Sequence, residues 1–233
     1  MVYIQSDSER KLPHHFDAAC ALYGAIDSGL DFRLTSFEEV ACGKYDKLIT
    51  NNLFVGSTEF MQEVFKRVNK TNVRLPKNSN RPFILMTLGS AFEMAKGSPI
   101  FIKPLEIKLF TGLVLDGMEY TSLNGLPQDT MVMVYAPFRS KLVSEWRVYI
   151  HKDNIVDSRN YSGDFTQGIN YDYVREVIEV NFPIAYTIDI GVLENGDNVV
   201  VEFNDMWAIG NYGIPNDIYL RLLKERYFEI VKS

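Results

Sequence analysis

Cysteine is scarce in this chain, whose 233 residues include only Cys20 and Cys42. The two cysteines do not have the spacing of a metal-binding motif, so the sequence offers no cysteine-based metal site. A chain that makes so little use of cysteine is expected to work in a reducing compartment.

Long apolar runs are also missing, since none approaches the roughly 18 residues of a membrane-spanning helix. The N-terminus carries Asp7 and Glu9 and does not have the pattern of a signal peptide. We therefore expect a cytoplasmic protein, in which the glycosylation motifs at Asn69 and Asn160 are chance matches.

An excess of positive charge is absent too. The formal net charge of −6 argues against nucleic-acid binding by bulk electrostatics. Residues 66–81 are a local exception, because no acidic residue occurs between Glu63 and Glu93. The cations of this segment are Lys66, Arg67, Lys70, Arg74, Lys77 and Arg81. Two interpretations stay open: a solvated basic face, or a docking surface for an acidic partner.

Several familiar catalytic motifs do not occur in the sequence. It contains no Walker-type phosphate loop, no HExxH, no paired CxxC and no GxSxG. His14, His15 and His151 have no partner motif, which favours surface or helix-capping positions over catalysis. A hydrophobic content of 46% with 13% aromatic residues still predicts a folded chain with a proper core.

The most informative stretch is a predicted hairpin over residues 186–205. Two apolar strands flank the turn at 194–197, which contains an Asn-Gly pair. Glu202 and Asn204 are two residues apart and share one strand face, and the hairpin brings Asp189 alongside them. Three oxygen-bearing side chains on an apolar ladder suit a hard cation such as Mg²⁺. The alternative is a strand whose polar face is simply solvated.

The first 75 residues alternate strand-like and helix-like patterns, which predicts a small α/β unit. Strands are predicted at 2–5, 32–34 and 48–49, and helices at 16–29 and 57–68. The segment 69–81 is rich in Asn, Lys and Pro, which is typical of a linker.

From Pro82 onward the pattern becomes mixed β structure with few helices. Besides the hairpin above, strands are predicted at 83–86, 99–104, 109–115, 131–135, 145–150 and 154–158. Helices are predicted at 90–96, near 174–178 and at 217–231. The pattern thus changes across the segment 69–81, and the sequence contains no internal repeats.

Charged residues follow a definite order along this second part. Cations come first, at Lys103 and Lys108, then Glu145 with Arg147, then Arg159, and the oxygen ligands at 189–204 come last. Lysines that neutralise phosphates and carboxylates that hold a metal are what a nucleotide–metal site needs. Structural roles remain the alternative: edge lysines that discourage aggregation, or an arginine that only pairs with Glu145 or Asp189.

Three segments together resemble the successive motifs of the ATP-grasp superfamily. They are Ile102-Lys103-Pro104, Glu145-Trp146-Arg147-Val148, and Asp189 followed by Glu202-Phe203-Asn204. The gap from Asp189 to the Glu-x-Asn pair is similar to that of D-alanine–D-alanine ligases. Within the superfamily the chain most resembles a clade found in phages and bacteria, named for one arginine and two lysines, here matched to Arg147, Lys103 and Lys108. The resemblance implies an α/β (α+β) ATP-grasp fold over 76–233, preceded by a small Rossmann-like domain.

The resemblance also implies ligand contacts, with the nucleotide between two subdomains and a hinge near 132–137. Lys103 and Lys108 would contact ATP phosphates. The strand 132–136, with Val134, Tyr135 and Ala136, would bind adenine through its backbone. Glu145 would approach the ribose, and Arg147 would face the nucleotide. Asp189, Glu202 and Asn204 would ligate one or two Mg²⁺ ions.

Other segments would serve the second substrate. The stretches 204–210 and 212–213 would form a loop that closes the substrate side. Arg159 resembles the substrate- or phosphate-binding arginine of glutathione-synthetase-like and ribosomal-protein-modifying relatives. An ordinary packing role explains three aromatic residues equally well: Trp207, Tyr212 and Tyr161. Gly112 is either a kink in a strand or part of a loop that covers the phosphates.

One position departs from the ligase pattern. D-alanine–D-alanine ligases carry an arginine two residues before the metal-binding aspartate, where this chain has Thr187. The cation that stabilises the transferring phosphoryl group must then come from elsewhere, with Arg147, Arg159 and Lys108 as candidates.

The implied function is an ATP-dependent, ADP-forming ligase that phosphorylates a carboxylate and passes the acyl group to an amine or similar nucleophile. An amino acid, a peptide or a modified macromolecule is a possible acceptor. Two alternatives remain: a nucleotide-binding module without turnover that regulates a partner, and a phosphotransferase acting on a non-carboxylate acceptor.

Overall fold

The computed structural model describes residues 1–233 except for 8, 10, 72, 74–81, 107, 108, 111, 118, 119, 137, 139 and 179–181. The described strands are β1 Val2–Gln5, β2 Phe32–Thr35, β3 Leu53–Val55, β4 Phe83–Thr87, β5 Ile100–Pro104, β6 Leu113–Leu115, β7 Met131–Tyr135, β8 Leu142–His151, β9 Asn154–Gly163, β10 Ala185–Leu193 and β11 Asn198–Asp205. The described α-helices are α1 Phe16–Asp27, α2 Phe37–Ala41, α3 Thr58–Arg67, α4 Leu88–Ala95, α5 Tyr171–Val177 and α6 Asn216–Lys232.

The N-terminal part is a three-stranded parallel sheet of order β2-β1-β3. Parallel strands need crossover connections, and α1 provides the first of them. Helix α1 begins after His15, whose ring accepts a hydrogen bond from the backbone N–H of Ala18. Helix α2 begins with a capping box formed by Ser36 and Glu39. The predicted α/β character of this part is confirmed.

The largest hydrophobic core joins the N-terminal sheet to the C-terminal helix. Side chains of β1 and β3 pack in one cluster with the apolar side of α6. Tyr227 of α6 stacks near Phe54 and donates a hydrogen bond to the carbonyl of Ile49 at 2.9 Å. Gly24 allows α1 and α6 to approach, since an added Cβ would lie 2.2 Å from the carbonyl oxygen of Asn216. Both ends of the chain therefore stabilise one compact body.

A four-stranded antiparallel sheet of order β11-β10-β8-β9 belongs to the same body. The β8–β9 turn places Lys152 and Asp153 at positive φ, as a two-residue type I′ turn requires. The β10–β11 turn includes Gly196, also at positive φ. The predicted hairpin over residues 186–205 is confirmed, and the strands predicted at 145–150 and 154–158 pair as a second hairpin.

The two faces of this sheet differ in polarity because side chains alternate along each strand. One face presents Val148, Ile150, Ile188 and Ile190 to a buried cluster that includes Val174 of α5. The other face carries the charged residues of the candidate site described below.

Residues between these parts form a second four-stranded antiparallel sheet, of order β4-β7-β5-β6. Its core contains Ile102, Val132 and Val134 and is covered by Leu88 and Ala91 of α4.

By packing, the chain separates into two compact units, one of Met1–Ser79 with Leu142–Ser233 and one of Asn80–Lys141. The division into 1–75 and 76–233 follows sequence motifs instead, and it stays a prediction. No helix among the described residues is long and apolar enough to cross a membrane.

Three local predictions are wrong or incomplete. Residues Asp46–Asn51 form a 3-10 helix and the third strand lies at Leu53–Val55, because two apolar residues between polar neighbours are too short a pattern to separate helix from strand. The strand predicted at 109–115 covers Leu113–Leu115, and residues 108 and 111 lie outside the described part. The strand predicted at 154–158 is longer, because β9 continues past Arg159 to Gly163 through pairing with β8.

Candidate active site

A row of four charged residues crosses the polar face of the sheet formed by β8 to β11. In strand order the row is Arg159, Arg147, Asp189 and Glu202, and each residue pairs in register with the next. Two cations thus occupy one side of the row and two carboxylates the other. A β-bulge next to Asp189 interrupts the β10–β11 ladder, a distortion that is common beside functional sites.

Arg147 and Asp189 form a buried ion pair at the centre of this row. The guanidinium donates from Nε to Oδ1 at 2.8 Å and from Nη2 to Oδ2 at 2.7 Å. Asn204 adds a third donor, from Nδ2 to Oδ2 of Asp189 at 3.2 Å. Arg147 is 5% exposed and Asp189 is 0% exposed, so each charge depends on the other in place of water.

Arg147 keeps its positive charge in this environment. Burial by itself would lower the pKa of the guanidinium, but the hydrogen bonds to Asp189 and the charge of that carboxylate outweigh burial and raise it. The side chain is therefore a fixed cation, which is the property needed beside a phosphoryl group.

Two stacked tyrosines flank the guanidinium of Arg147. The rings of Tyr161 and Tyr212 lie 4.9 Å apart and nearly parallel. The guanidinium carbon is 4.6 Å from the Tyr212 centroid and 5.8 Å from that of Tyr161, within the range of cation–π attraction. Tyr161 also donates from its hydroxyl to Oε2 of Glu145 at 2.9 Å. Burial, with the neighbouring carboxylates of Asp189 and Glu145, raises the pKa of Tyr161, so this hydroxyl stays a donor.

The segment after β11 is held by several hydrogen bonds. Tyr149 of β8, fully buried, donates its hydroxyl to the carbonyls of Gly210 at 2.9 Å and Asn211 at 2.5 Å. The backbone N–H of Asn211 donates to Asp17 in the first turn of α1 at 2.8 Å. Tyr212 adopts φ 49°, which is unusual for a non-glycine residue. These contacts fix the loop that carries Tyr212 over Arg147.

A second ion pair, which is partly buried, lies directly beside the site. Arg226 of α6 donates to Asp205 at 2.6 Å and 2.7 Å and to Glu229 at 2.9 Å. Asp205 follows Asn204 at the end of β11, so this pair anchors the strand that carries the predicted metal ligands. No sequence motif pointed to Arg226, Tyr149, Asp17 or Asn211, because the contacts that tie them to the site are made through the tertiary fold.

Thr187 is fully buried on the polar face, in register with Asn204 on one side and Tyr149 on the other. Its Oγ1 has no hydrogen-bond partner among the described residues, and the same is true of Nε of Arg159. Arg159 otherwise donates from Nη2 to Asp157 at 2.8 Å.

The predicted metal ligands share one face of the β10–β11 hairpin. Asp189 is in register with Glu202, and Asn204 bonds to Asp189. Carboxylate and amide oxygens are the donors that Mg²⁺ accepts, so the residue types fit the ion. Both oxygens of Asp189 accept from Arg147 here, however. Within the described part of the chain, His, Cys, Asp and Glu residues form no cluster of three or more with metal-binding geometry.

The residues assigned to phosphate and adenine lie in the second unit. Lys103 is on β5, in register with Met133 of β7, and its Nζ lies 5.7 Å from the ring centroid of Phe101. A Cβ added at Gly112 would lie 2.8 Å from Cγ of Lys103, so the glycine backbone packs against this lysine. This close packing explains the glycine without a strand kink.

The predicted hinge residues belong to the same sheet. Val134 pairs with Ile102, Tyr135 pairs with Phe101, and both are buried. Ala136 follows the end of β7. Lys108, assigned to the phosphates and to catalysis, lies outside the described residues, so its role stays a prediction.

Comparison with known proteins identifies the family of the chain. A family model for the ATP-grasp domain, family 2 of the clade named for one arginine and two lysines, matches residues 79–222. The chain belongs to the ATP-grasp superfamily. The predicted fold class and clade are therefore confirmed, and the motifs at 102–104, 145–148 and 189–204 all lie inside the matched region.

Solved structures share the fold of this ATP-grasp protein at low sequence identity. D-alanine–D-alanine ligase from Bacillus anthracis complexed with ATP matches at 12% identity and a TM-score of 0.56, over 99% of this chain and 97% of that chain. D-cycloserine synthetase DcsG matches at 11% and 0.57, over 98% and 99%. N5-carboxyaminoimidazole synthase from Aspergillus clavatus matches at 10% and 0.56, over 95% and 76%. A search of curated protein sequences gave no significant match.

Proposed function

We propose that this ATP-grasp protein is an ATP-dependent, ADP-forming ligase that joins a carboxylate to an amine or similar nucleophile. A carboxylate oxygen attacks the γ-phosphorus of ATP, and the bond from that phosphorus to the β,γ-bridging oxygen breaks to release ADP. The nucleophile then attacks the acyl carbon of the acylphosphate. Inorganic phosphate leaves with the bonding electrons, and the proton of the amine passes to solvent.

The observation that carries this proposal is the row of two cations and two carboxylates across four strands. A chain of phosphates needs cations along one side and a metal-binding carboxylate set along the other, and the row offers both within one sheet face. A merely solvated face is a poorer explanation, because Asp189 and Arg147 are almost completely buried.

Asp189, Glu202 and Asn204 would hold one or two Mg²⁺ ions, which supply charge neutralisation between the phosphates when bound. Arg147 would stabilise the negative charge of the transferring phosphoryl group in place of the arginine missing at Thr187. Arg159, the other cation of the row, would bind the carboxylate substrate. Arginine suits both tasks because its planar fork can hold two oxygens at once.

The remaining nucleotide contacts are assigned by the family resemblance. Lys103 and Lys108 would neutralise phosphates, with Lys108 a further candidate for the transition-state charge. Backbone groups of Val134, Tyr135 and Ala136 would bind adenine. Glu145 would approach the ribose, and its bond to Tyr161 would hold its carboxylate in one orientation.

The proposed substrates include an amino acid, a peptide or a modified macromolecule as the acceptor. This range is compatible with the names of two structural relatives, D-alanine–D-alanine ligase and the ligase PsnB, which was crystallised with a minimal precursor. The charge of the basic segment 66–81 would suit an acidic macromolecular acceptor. Lys66 pairs with Glu63 and Arg67 pairs with Asp46, and residues 74–81 lie outside the described part, so this docking role rests on the sequence charge. We propose a cytoplasmic setting, where ATP and Mg²⁺ are both plentiful.

A substrate screen tests the proposal. The protein is incubated with ATP, Mg²⁺ and pooled carboxylates and amines, ADP is measured, and products are identified by mass spectrometry. ADP together with a new amide or equivalent bond supports the ligase. ADP with a stable phosphorylated product would establish a phosphotransferase instead, and tight ATP binding without ADP in any pool would favour a regulatory nucleotide-binding module.

A further inference from the structure

Asp189 faces two competing demands. As a metal ligand it must offer at least one carboxylate oxygen to a cation, yet each of its oxygens accepts a short hydrogen bond from Arg147. Asn204 takes a further position on Oδ2. With 0% of Asp189 exposed, no face of the carboxylate is open to solvent for an incoming ion.

We propose that Arg147 and the divalent cation exclude each other at Asp189, so that the ion pair keeps the metal position closed until a phosphate chain draws the guanidinium away. This inference rests on the proposed function, because it concerns the order in which the ligands of that site bind. It assigns to Arg147 the additional role of making metal binding depend on the nucleotide.

The charges on the sheet face explain why Arg147 leaves Asp189 only when the phosphates and the cation are both present. Breaking a buried ion pair from one side leaves an uncompensated charge, which is costly. If a cation alone displaced Arg147, the guanidinium would lose its counter-ion. If phosphates alone attracted Arg147, Asp189 would stay charged and unpaired. When both arrive together, the phosphates neutralise Arg147 and the cation neutralises Asp189, so neither charge is left alone.

The surroundings of Arg147 support a movement of its guanidinium. The carboxylate lies on one side of the side chain, and the stacked rings of Tyr212 and Tyr161 flank it. Aromatic faces attract a guanidinium without fixing its hydrogen-bond geometry. Tyr212 itself is partly open to solvent, at 45% exposure. Gly210 places no side chain beside the guanidinium, since an added Cβ there would lie 3.6 Å from Nη1 of Arg147. The guanidinium therefore keeps an attractive neighbour as it turns from Asp189 toward a ligand.

The first test measures thermal unfolding with Mg²⁺ or Mn²⁺ and no nucleotide. Arg147→Gln removes the competing cation, so this variant should be less stable than the wild type but should bind the metal roughly tenfold or more tightly, a coupling within the range typical of interacting sites. Its Tm should rise with the cation concentration, whereas that of the wild type should not. The matched control is Arg147→Gln with Asp189→Asn, which removes both charges and should abolish the response.

The second test approaches the pair from its other side and does not depend on the stability of the first variant. Asp189→Asn frees Arg147, so inorganic tripolyphosphate in the presence of a chelator should bind this variant roughly tenfold more tightly than the wild type, as followed by calorimetry. If Asp189 were only a metal ligand, the substitution would leave metal-free phosphate binding unchanged.

These measurements are separate from turnover. The proposal is overturned if the wild type binds Mg²⁺ without nucleotide as tightly as Arg147→Gln does, or if Asp189→Asn gains no affinity for metal-free tripolyphosphate. Failure of the ligase screen with both binding results positive would reject the reaction and leave the exclusion standing. Ligase activity with both binding results negative would do the reverse.

Discussion

Removing the hydroxyl group of Tyr149 should loosen the loop after β11 while leaving the sheet in place. This hydroxyl shares its single proton between the carbonyls of Gly210 and Asn211, at 2.9 Å and 2.5 Å, and the side chain is fully buried. Tyr149→Phe keeps the ring and deletes the donor. Losing a buried hydrogen bond costs about 1–3 kcal/mol, which corresponds to a Tm lower by roughly 2–12 °C for a chain of this size.

The loss should appear locally, in hydrogen exchange of the loop amides. The N–H groups of Asn211 and Gly213 donate to Asp17 and to the Asn211 side chain, at 2.8 Å and 2.6 Å. If the whole penalty falls on opening of this loop, their exchange should speed up by roughly 5–150-fold. Exchange with mass spectrometry, resolved to peptides covering residues 206–215, measures this directly.

Tyr227→Phe is the matched control. Tyr227 is also buried and its hydroxyl also donates to a backbone carbonyl, that of Ile49 at 2.9 Å, but this bond lies in the core between α6 and the N-terminal part. It should lose comparable stability without selective exchange in the loop. Equal acceleration in both variants, or none in Tyr149→Phe, would refute the view that Tyr149 holds the loop.

Four further predictions concern the charged residues. Glu202→Gln should lower turnover by about 10²–10³-fold or more with an unchanged Tm, and near-normal activity at saturating Mg²⁺ would reject its metal role. Lys103→Ala should weaken ATP binding more than adenosine binding in calorimetry, and equal losses would indicate general misfolding. Arg147→Lys should lower kcat with little change in the KM for the carboxylate, whereas Arg159→Lys should mainly raise that KM; the opposite pattern would exchange the two roles. The hydrogen bond from Lys44, together with other donors, lowers the pKa of Glu39 from 4.5 to about 2. The stability that ionised Glu39 adds to the fold is therefore complete above pH 4.5 and declines as the pH falls toward 2. Glu39→Gln should lower the Tm at pH 7, by an amount that shrinks below pH 4.5.

The sequence was sufficient to predict the hairpins and the shared faces that build the site. The alternation of side chains along a strand places Glu202 and Asn204 on the same face. The short turns fix the pairing of β8 with β9 and of β10 with β11. Because these contacts are local or set by strand period, Arg147 could be placed beside Glu145 on one face without any knowledge of distant contacts.

Contacts made through the tertiary fold could not be predicted in this way. The bond from Asn211 to Asp17 joins residues far apart in the chain, and neither residue belongs to a motif. The sequence left a purely structural pairing of Arg147 with Asp189 as one alternative. The two hydrogen bonds of this pair depend on the register between β8 and β10. The Leu48-Ile49 error has the opposite origin, since a pattern of two residues contains too little periodicity.

The most direct test of the central claim follows the oxygen of the carboxylate substrate. Once the screen has identified that substrate, its carboxylate is labelled with ¹⁸O and the reaction is run with ATP, Mg²⁺ and the nucleophile. An acylphosphate route transfers one labelled oxygen to inorganic phosphate for each amide formed, and mass spectrometry of the released phosphate should show it. Amide formed together with unlabelled phosphate, the displaced ¹⁸O being found in AMP or in water instead, would contradict the ligase mechanism proposed for this ATP-grasp protein.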